Sequence, residues 1–180
     1  MLVGLDNLKK ALEEFRDEVV RNTKQNLVRQ NKVSTGRLLD SVEGLPVKVT
    51  KNSLQFNIQM EEYGQYQDKG VSGILRKYNT PYSYRDKMPP SRALDGWTVR
   101  RGIAPRDESG RFIPRRSLTY AIAKSIYEKG IRPSLFFTTA FQNSFRKVPG
   151  KIQKAFALDA EEFIDFINRQ NFSNGDSNRG

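Results

Sequence analysis

The stretch from Ile74 to Arg116 constrains this chain more than any other. It holds five of the eight prolines, Pro81, Pro89, Pro90, Pro105 and Pro114, with 11 basic residues against 4 acidic ones. Proline fixes φ and removes a backbone donor, so this density suits neither a helix interior nor a central strand. A loop of that length without structure is uncommon inside a compact domain, and where one occurs it is functional, disordered or an inserted arm. Residues 74–116 therefore read as an inserted basic, proline-rich arm. The flanking segments, 1–73 and 117–170, read as a single α+β core domain, and 171–180 as a flexible polar tail. A chain of 180 residues is long enough for one domain with a modest core.

The flanks carry clear periodicities. Leu5, Leu8, Leu12, Phe15 and Val19 recur at spacings of three and four, which predicts a long amphipathic helix from about residue 4 to about 30. Its apolar stripe can pack on the protein's own sheet or against another subunit. Ser34 or Thr35 is positioned to cap a short helix that Gly44 would close. Leu45, Val47 and Val49 alternate with polar residues, as do Leu54, Phe56, Ile58 and Met60. Lys51-Asn52 joins the two runs, so a β-hairpin is predicted with one apolar face against the long helix.

Residues 63–71 predict a helical turn ending at Gly70. A helix capped by Ser117 and stopped by Gly130 follows the arm. Pro133 then opens a further helix through Ala140, Phe141 and Phe145, which Pro149-Gly150 breaks. Ile152, Phe156, Phe163, Ile164 and Ile167 mark the apolar side of a last helix.

Composition narrows the chemistry. There is no cysteine and no histidine, which removes disulfides, thiolate nucleophiles, Ser-His and Cys-His catalysis and the commonest metal ligand. Carboxylate-only metal chemistry survives, with Glu61 and Glu62, Asp107 and Glu108, and Asp159 with Glu161, Glu162 and Asp165 as its carriers. None is spaced with a lysine on paired strands as a nuclease requires, and Glu162 and Asp165, three apart on a helix whose other face is apolar, read as a solvated face. No phosphate-cradling glycine motif is present, and residues 109–112 read as a hairpin tip within the arm. The expectation is a non-enzyme without cofactor or metal. No apolar run approaches the roughly 20 residues of a membrane span, and the acidic N-terminal turns do not read as a secretory signal.

A net charge of +11 calls for an acidic partner. The candidates are Arg76, Lys77, Arg100, Arg101, Arg106, Arg111, Arg115 and Arg116, interleaved with Tyr78, Tyr82, Tyr84, Trp97 and Phe112. Such cations can neutralise phosphates while the aromatics stack on bases. The same residue types are enriched at protein interfaces, and the prolines and aromatics suit a docked arm. Both readings, subunit interface and DNA-facing surface, stay open on the residues alone.

Three short segments, in this order, resemble elements of the phage head–tail connector family, the tail-completion or neck (minor tail) proteins of long-tailed phages. Thr35-Gly36-Arg37-Leu38 with Ser41-Val42 is similar to that family's TG-x-L-x-x-S-[IV] element after the first helix. Tyr63-Gly64-x-Tyr66-x-Asp68-x-Gly70-Val71 is similar to its Y-A-x-Y-x-E-x-G-T element after the hairpin. Arg132-Pro133 with Leu135, Phe136 and Ala140 is similar to its R-P-F-L-x-x-A element, here interrupted by Ser134. The likeness covers about residues 1–73 and 130–168, and the segment between replaces a much shorter loop. The enlarged arm resembles ring proteins of some short-tailed phages, including the crAss-like group.

The resemblance implies a small α+β virion subunit forming a closed ring, with about twelve copies favoured and otherwise six. Its partners would be further copies of itself, the portal or adjacent neck and tail ring proteins, and the packaged double-stranded DNA in the channel. No membrane is implied, and its location would be the virion, with the host cytoplasm during assembly. The alternative function is a sequence-nonspecific DNA-binding protein.

Overall fold

The computed structural model describes residues 5–50 and 53–176. The chain is α+β: seven described helices and three short antiparallel strand pairs. In chain order the elements are α1 (Asp6–Arg29), α2 (Arg37–Ser41), β1 (Glu43–Gly44), β2 (Lys48–Val49), β3 (Leu54–Gln55), β4 (Ile58–Gln59), α3 (Gly64–Lys69), β5 (Val71–Ser72), a 3-10 turn (Ser91–Leu94), α4 (Asp95–Arg100), α5 (Arg115–Lys129), β6 (Gly130–Ile131), α6 (Phe136–Phe145) and α7 (Val148–Asp176). They form two compact units, the first from Met1–Gln25, Val42–Gln59 and Thr139–Gly180, the second from Asn26–Ser41 and Met60–Thr138.

The first unit is built on α1. Phe15, Val19 and Thr23 lie four residues apart and are buried, the spacing that keeps one helix face turned to a core. Phe15 meets Phe56 of the hairpin edge to face, with centroids 5.4 Å apart, and Phe141 of α6 at 5.7 Å, so the hairpin's apolar face does lie against the long helix. The hairpin pairs β1 with β4 (Glu43↔Gln59, Gly44↔Ile58) and β2 with β3 (Lys48↔Gln55, Val49↔Leu54). Between the two pairings stands Pro46, which has no N–H to donate to the ladder. The turn residues Lys51 and Asn52 lie outside the described residues.

Antiparallel to α1 runs α7. At one end Asp159 of α7 accepts the Asn7 and Leu8 backbone N–H groups, each at 2.9 Å. At the other, Lys147 and Lys151 reach Glu18 at 2.9 and 3.6 Å. The break before α7 falls at Arg146-Lys147, not at Pro149-Gly150. Pro149 instead sits in the first turn of α7, where its missing N–H has no intrahelical partner to lose. The helix also runs on to Asp176, past Asn171, where the sequence reading ended it; residues 177–180 lie outside the described residues.

The second unit is organised around β5 and β6 (Val71↔Ile131, Ser72↔Gly130). Gly130 carries φ +75, and a Cβ there would stand 2.1 Å from the Val71 carbonyl oxygen, so only glycine closes this pairing. Residues 74–116 fold within this unit. A bridge joins Ser72 to Ser83, the 3-10 turn and α4 pack on α5, and Arg106 bridges Phe112 around the 109–112 tip.

Four helix ends differ from the sequence reading. Gly36, with φ +84, precedes α2, and its carbonyl accepts the Asp40 N–H, while Ser34 Oγ accepts from Arg100 Nε. That helix ends at Ser41 rather than Gly44, which lies in β1. Pro114 takes the cap position of α5, leaving Ser117 inside its first turn. Pro133 stands before α6 rather than at its start, because Leu135, with φ +52, turns the chain out of helix geometry until Phe136.

Candidate functional site

The second and third sequence motifs meet in one place. Asp68 of α3 is buried, and its carboxylate accepts the backbone N–H groups of Phe137 (2.8 Å) and Thr138 (3.1 Å) and the Thr138 hydroxyl. It thereby caps α6, satisfying donors that a helix start leaves without intrahelical partners. The Asp68 backbone carbonyl accepts from Ser134 and Leu135. Gly70 is equally enclosed: a Cβ on it would lie 2.6 Å from both the Ile131 carbonyl oxygen and the Pro133 nitrogen. Phe136, at 0% exposure, plugs the joint. Ser134 donates its hydroxyl to the Gln67 carbonyl, so the residue that interrupts the third motif adds a bond to the second. Arg132 beside this joint is exposed.

Against this frame lies a groove of about 570 Å³ lined by Tyr63, Tyr66, Val71, Pro81, Tyr82, Tyr84, Arg85 and Ile131. Its aromatic walls are pinned. Tyr66 and Tyr82 pack edge to face at 4.6 Å, Tyr82 Oη donates to Gln65 Oε1 at 2.7 Å, and Tyr84 packs on Tyr127, whose hydroxyl donates to the Arg85 carbonyl. Burial raises the Tyr84 phenol above its ordinary pKa, which keeps it neutral as a donor.

Most of the arm's candidate cations are engaged within the unit. Arg101 donates to Asn31 Oδ1 and to the Asn31 carbonyl, both at 2.7 Å, and Arg100 to Ser34 Oγ at 3.0 Å. Trp97 joins Arg101 and Leu38 around a cavity of about 270 Å³ that also takes in Thr35 and Gly36, so α4 covers the first motif. Arg106 lies 3.8 Å over the Phe112 ring and donates to the Gly110 carbonyl. Arg111 pairs with Asp107, Lys77 Nζ donates to the Gly73 carbonyl, and Arg76 sits over Tyr78. Arg115 stands 3.9 Å from Asp95. With Arg92 and Arg116 it rims an open cavity in which Asp95 is the lone carboxylate. Arg92, Arg115 and Arg116 are all exposed.

The acidic groups considered as metal carriers are occupied differently. Glu61 pairs with Arg37 and Asp107 with Arg111. Asp159 is 2% exposed and caps α1, while Glu162 and Asp165 are exposed and Glu162 accepts from Asn7 Nδ2. Among the described residues no three carboxylates come together as a metal site, and no helix is long and apolar enough to cross a membrane.

The apolar side expected for the last helix is left open over much of its length. On α7, every residue of 160–169 is exposed, and Phe163, Ile164, Phe166 and Ile167 are among them at 40–57%. The reason is geometric. α1 begins at Asp6, opposite Asp159 and Glu162, so from Phe163 onward α7 has run past the end of its partner helix. The apolar stripe was visible in the sequence, but not that its second half outruns α1.

Comparison with protein-family models, with curated proteins and with solved structures returns no match for this chain.

Proposed function

We propose that this chain is a virion structural protein, a subunit of a homo-oligomeric ring in the head–tail connector that joins portal to tail around the DNA channel. The observation that carries the reading is the uncovered apolar end of α7, with Phe156, Phe163, Ile164, Phe166 and Ile167 all at least 40% exposed. Contiguous exposed apolar surface of this kind marks a protein contact. The three motifs that resemble connector proteins support a head–tail connector as the assembly. Two of them form the joint that holds α3 to the start of α6.

The role is mechanical rather than catalytic. The chain has no cysteine or histidine, and of its clustered carboxylates Asp159 serves as a helix cap while Glu61 and Asp107 are held in ion pairs. In the ring, copies pack head to tail by cyclic symmetry, and the Arg92, Arg115 and Arg116 cluster meets the phosphates of packaged DNA. The same cluster favours the second reading, a sequence-nonspecific DNA-binding protein. The arginines tied up on Asn31, Ser34, Gly110 and Asp107 weigh against it.

Quantitative mass spectrometry of gradient-purified virions tests the reading. A copy number of about six or twelve per particle is the expected result. Absence from virions would overturn it. DNA binding by the isolated protein that falls steeply with salt would then support the second reading.

A further inference from the structure

The end of α7 and the tyrosine groove of the second unit are complementary in shape class and in charge. The helix presents Phe156, Phe163 and Ile167 on one stripe, spaced by seven and four residues, with Ile164 and Phe166 widening it. Along this segment the exposed charges are Glu161, Glu162 and Asp165 against a single Arg169. The groove has aromatic walls, Tyr63, Tyr66, Tyr82 and Tyr84, and a basic lining residue in Arg85. Among the described residues Arg85 is the one charged side chain in the lining, and the bordering stretches 61–69 and 71–87 together carry Lys69, Arg76, Lys77, Arg85 and Lys87 against Glu61, Glu62, Asp68 and Asp86. An acid-rimmed apolar helix suits an aromatic groove whose charged lining side chain is an arginine, by burial of the apolar face and by opposite charge where the two meet.

We propose that the groove of one copy receives the 156–169 segment of α7 from the next copy, and that this contact is the repeating interface of the assembly. The inference rests on the ring reading and names its two surfaces. Because the helix end and the groove are different patches of one chain, the contact is heterologous and propagates from copy to copy, closing as a ring when the rotation allows. Pairing of two α7 ends with each other would instead be isologous and stop at a dimer. It would also bring the carboxylates of one segment toward those of the other with one arginine apiece to offset them.

Because the chain has no native cysteine, disulfide trapping in the full-length protein is clean. Phe163 and Ser83 are both exposed, and Ser83 lies in the groove wall with only its backbone in the bridge to Ser72, so Phe163→Cys and Ser83→Cys leave the fold intact. Mixed under mild oxidation, the two single variants are expected to form a covalent heterodimer that neither forms alone. The double variant is expected to give a ladder extending beyond the dimer. Leu158→Cys lies about 140° around the helix from position 163 and should not cross-link to Ser83→Cys. Three results would each overturn the interface: no disulfide in the mixture, a dimer of Phe163→Cys alone at equal yield, or equal cross-linking by Leu158→Cys. None of them touches the virion copy number, so an error in the interface and an error in the connector reading are told apart.

Discussion

Removing the Asp68 carboxylate isolates the one joint on which two of the three motifs depend. Asp68 is 3% exposed, and its side chain holds the Phe137 and Thr138 N–H groups and the Thr138 hydroxyl. Asp68→Ala leaves two backbone donors and a hydroxyl without this acceptor in a spot water barely reaches. Hydrogen bonds to a charged group contribute about 1.5–3 kcal/mol each, and loss of an N-cap costs about 0.5–2 kcal/mol. These overlap, so the sum is capped at about 4 kcal/mol, within the range of severe single substitutions. Asp68→Asn keeps an acceptor for both N–H groups and gives up mainly the charge facing the helix start, at a cost of about 1 kcal/mol. The sole tryptophan, Trp97, lies in the same unit, so its fluorescence follows unfolding there in urea. With a slope of about 2 kcal/mol per molar, the midpoint should fall by about 2 M for Ala and about 0.5 M for Asn. If the two variants shift the midpoint equally, or if Ala shifts it by less than about 0.5 M, the carboxylate does not hold the joint and the reasoning fails.

Other consequences can be checked in the same way. The Thr23 hydroxyl is buried at 0% exposure without a hydrogen-bond partner, so the isosteric Thr23→Val should stabilise the protein by about 1 kcal/mol in thermal or urea unfolding; a loss of stability would show the hydroxyl is bonded. Gly130→Ala places a Cβ 2.1 Å from the Val71 oxygen at φ +75 and should cost more than about 3 kcal/mol, against about 1 kcal/mol for Gly102→Ala, which has φ +63 and open space. Comparable losses for the two would mean that β5 and β6 do not pair as described. Glu18 titrates below its ordinary value of 4.5, held down first by the hydrogen bond from Lys147 and then by the charges of Lys147 and Lys151, with burial opposing. Its contribution is therefore present above about pH 4.5 and lost as pH falls through the depressed folded-state pKa. Lys147 is 64% exposed, so Lys147→Met should cost under about 1 kcal/mol at neutral pH, and the difference from the parent should vanish in acid. A difference that persists there would assign the effect to packing.

Stretches governed by neighbours in the chain were legible from the residues. The period of Leu5, Leu8, Leu12, Phe15 and Val19 predicts α1, and the alternation through Val47 and Phe56 predicts the hairpin against it. Gly70 and Gly130 were recognised as helix stops and both have positive φ. The caps were legible only in part. Ser117 is a suitable capping residue, yet α5 starts after Pro114 with no side-chain cap. The opening donors of two other helices, α1 and α6, go to aspartates 151 to 152 and 69 to 70 residues away. Asp68 did stand inside the second motif, which was the one available signal. Asp159 had none, since a carboxylate on a charged helix face looks solvated until another helix end arrives.

Residue order alone was enough for the helix and hairpin periodicities, the chemistry excluded by lacking cysteine and histidine, and the concentration of charge and proline in 74–116. Tertiary structure decided where that charge points. Arg100 and Arg101, candidates for contact with a partner, donate to Ser34 and Asn31 of their own unit, while Phe163 and Ile167, on the apolar side of the last helix, stand exposed. The physical reason is common to both. Periodicity reports which residues share a face, whereas burial depends on the length and end points of whatever packs against that face, and those are set by contacts far apart in the chain.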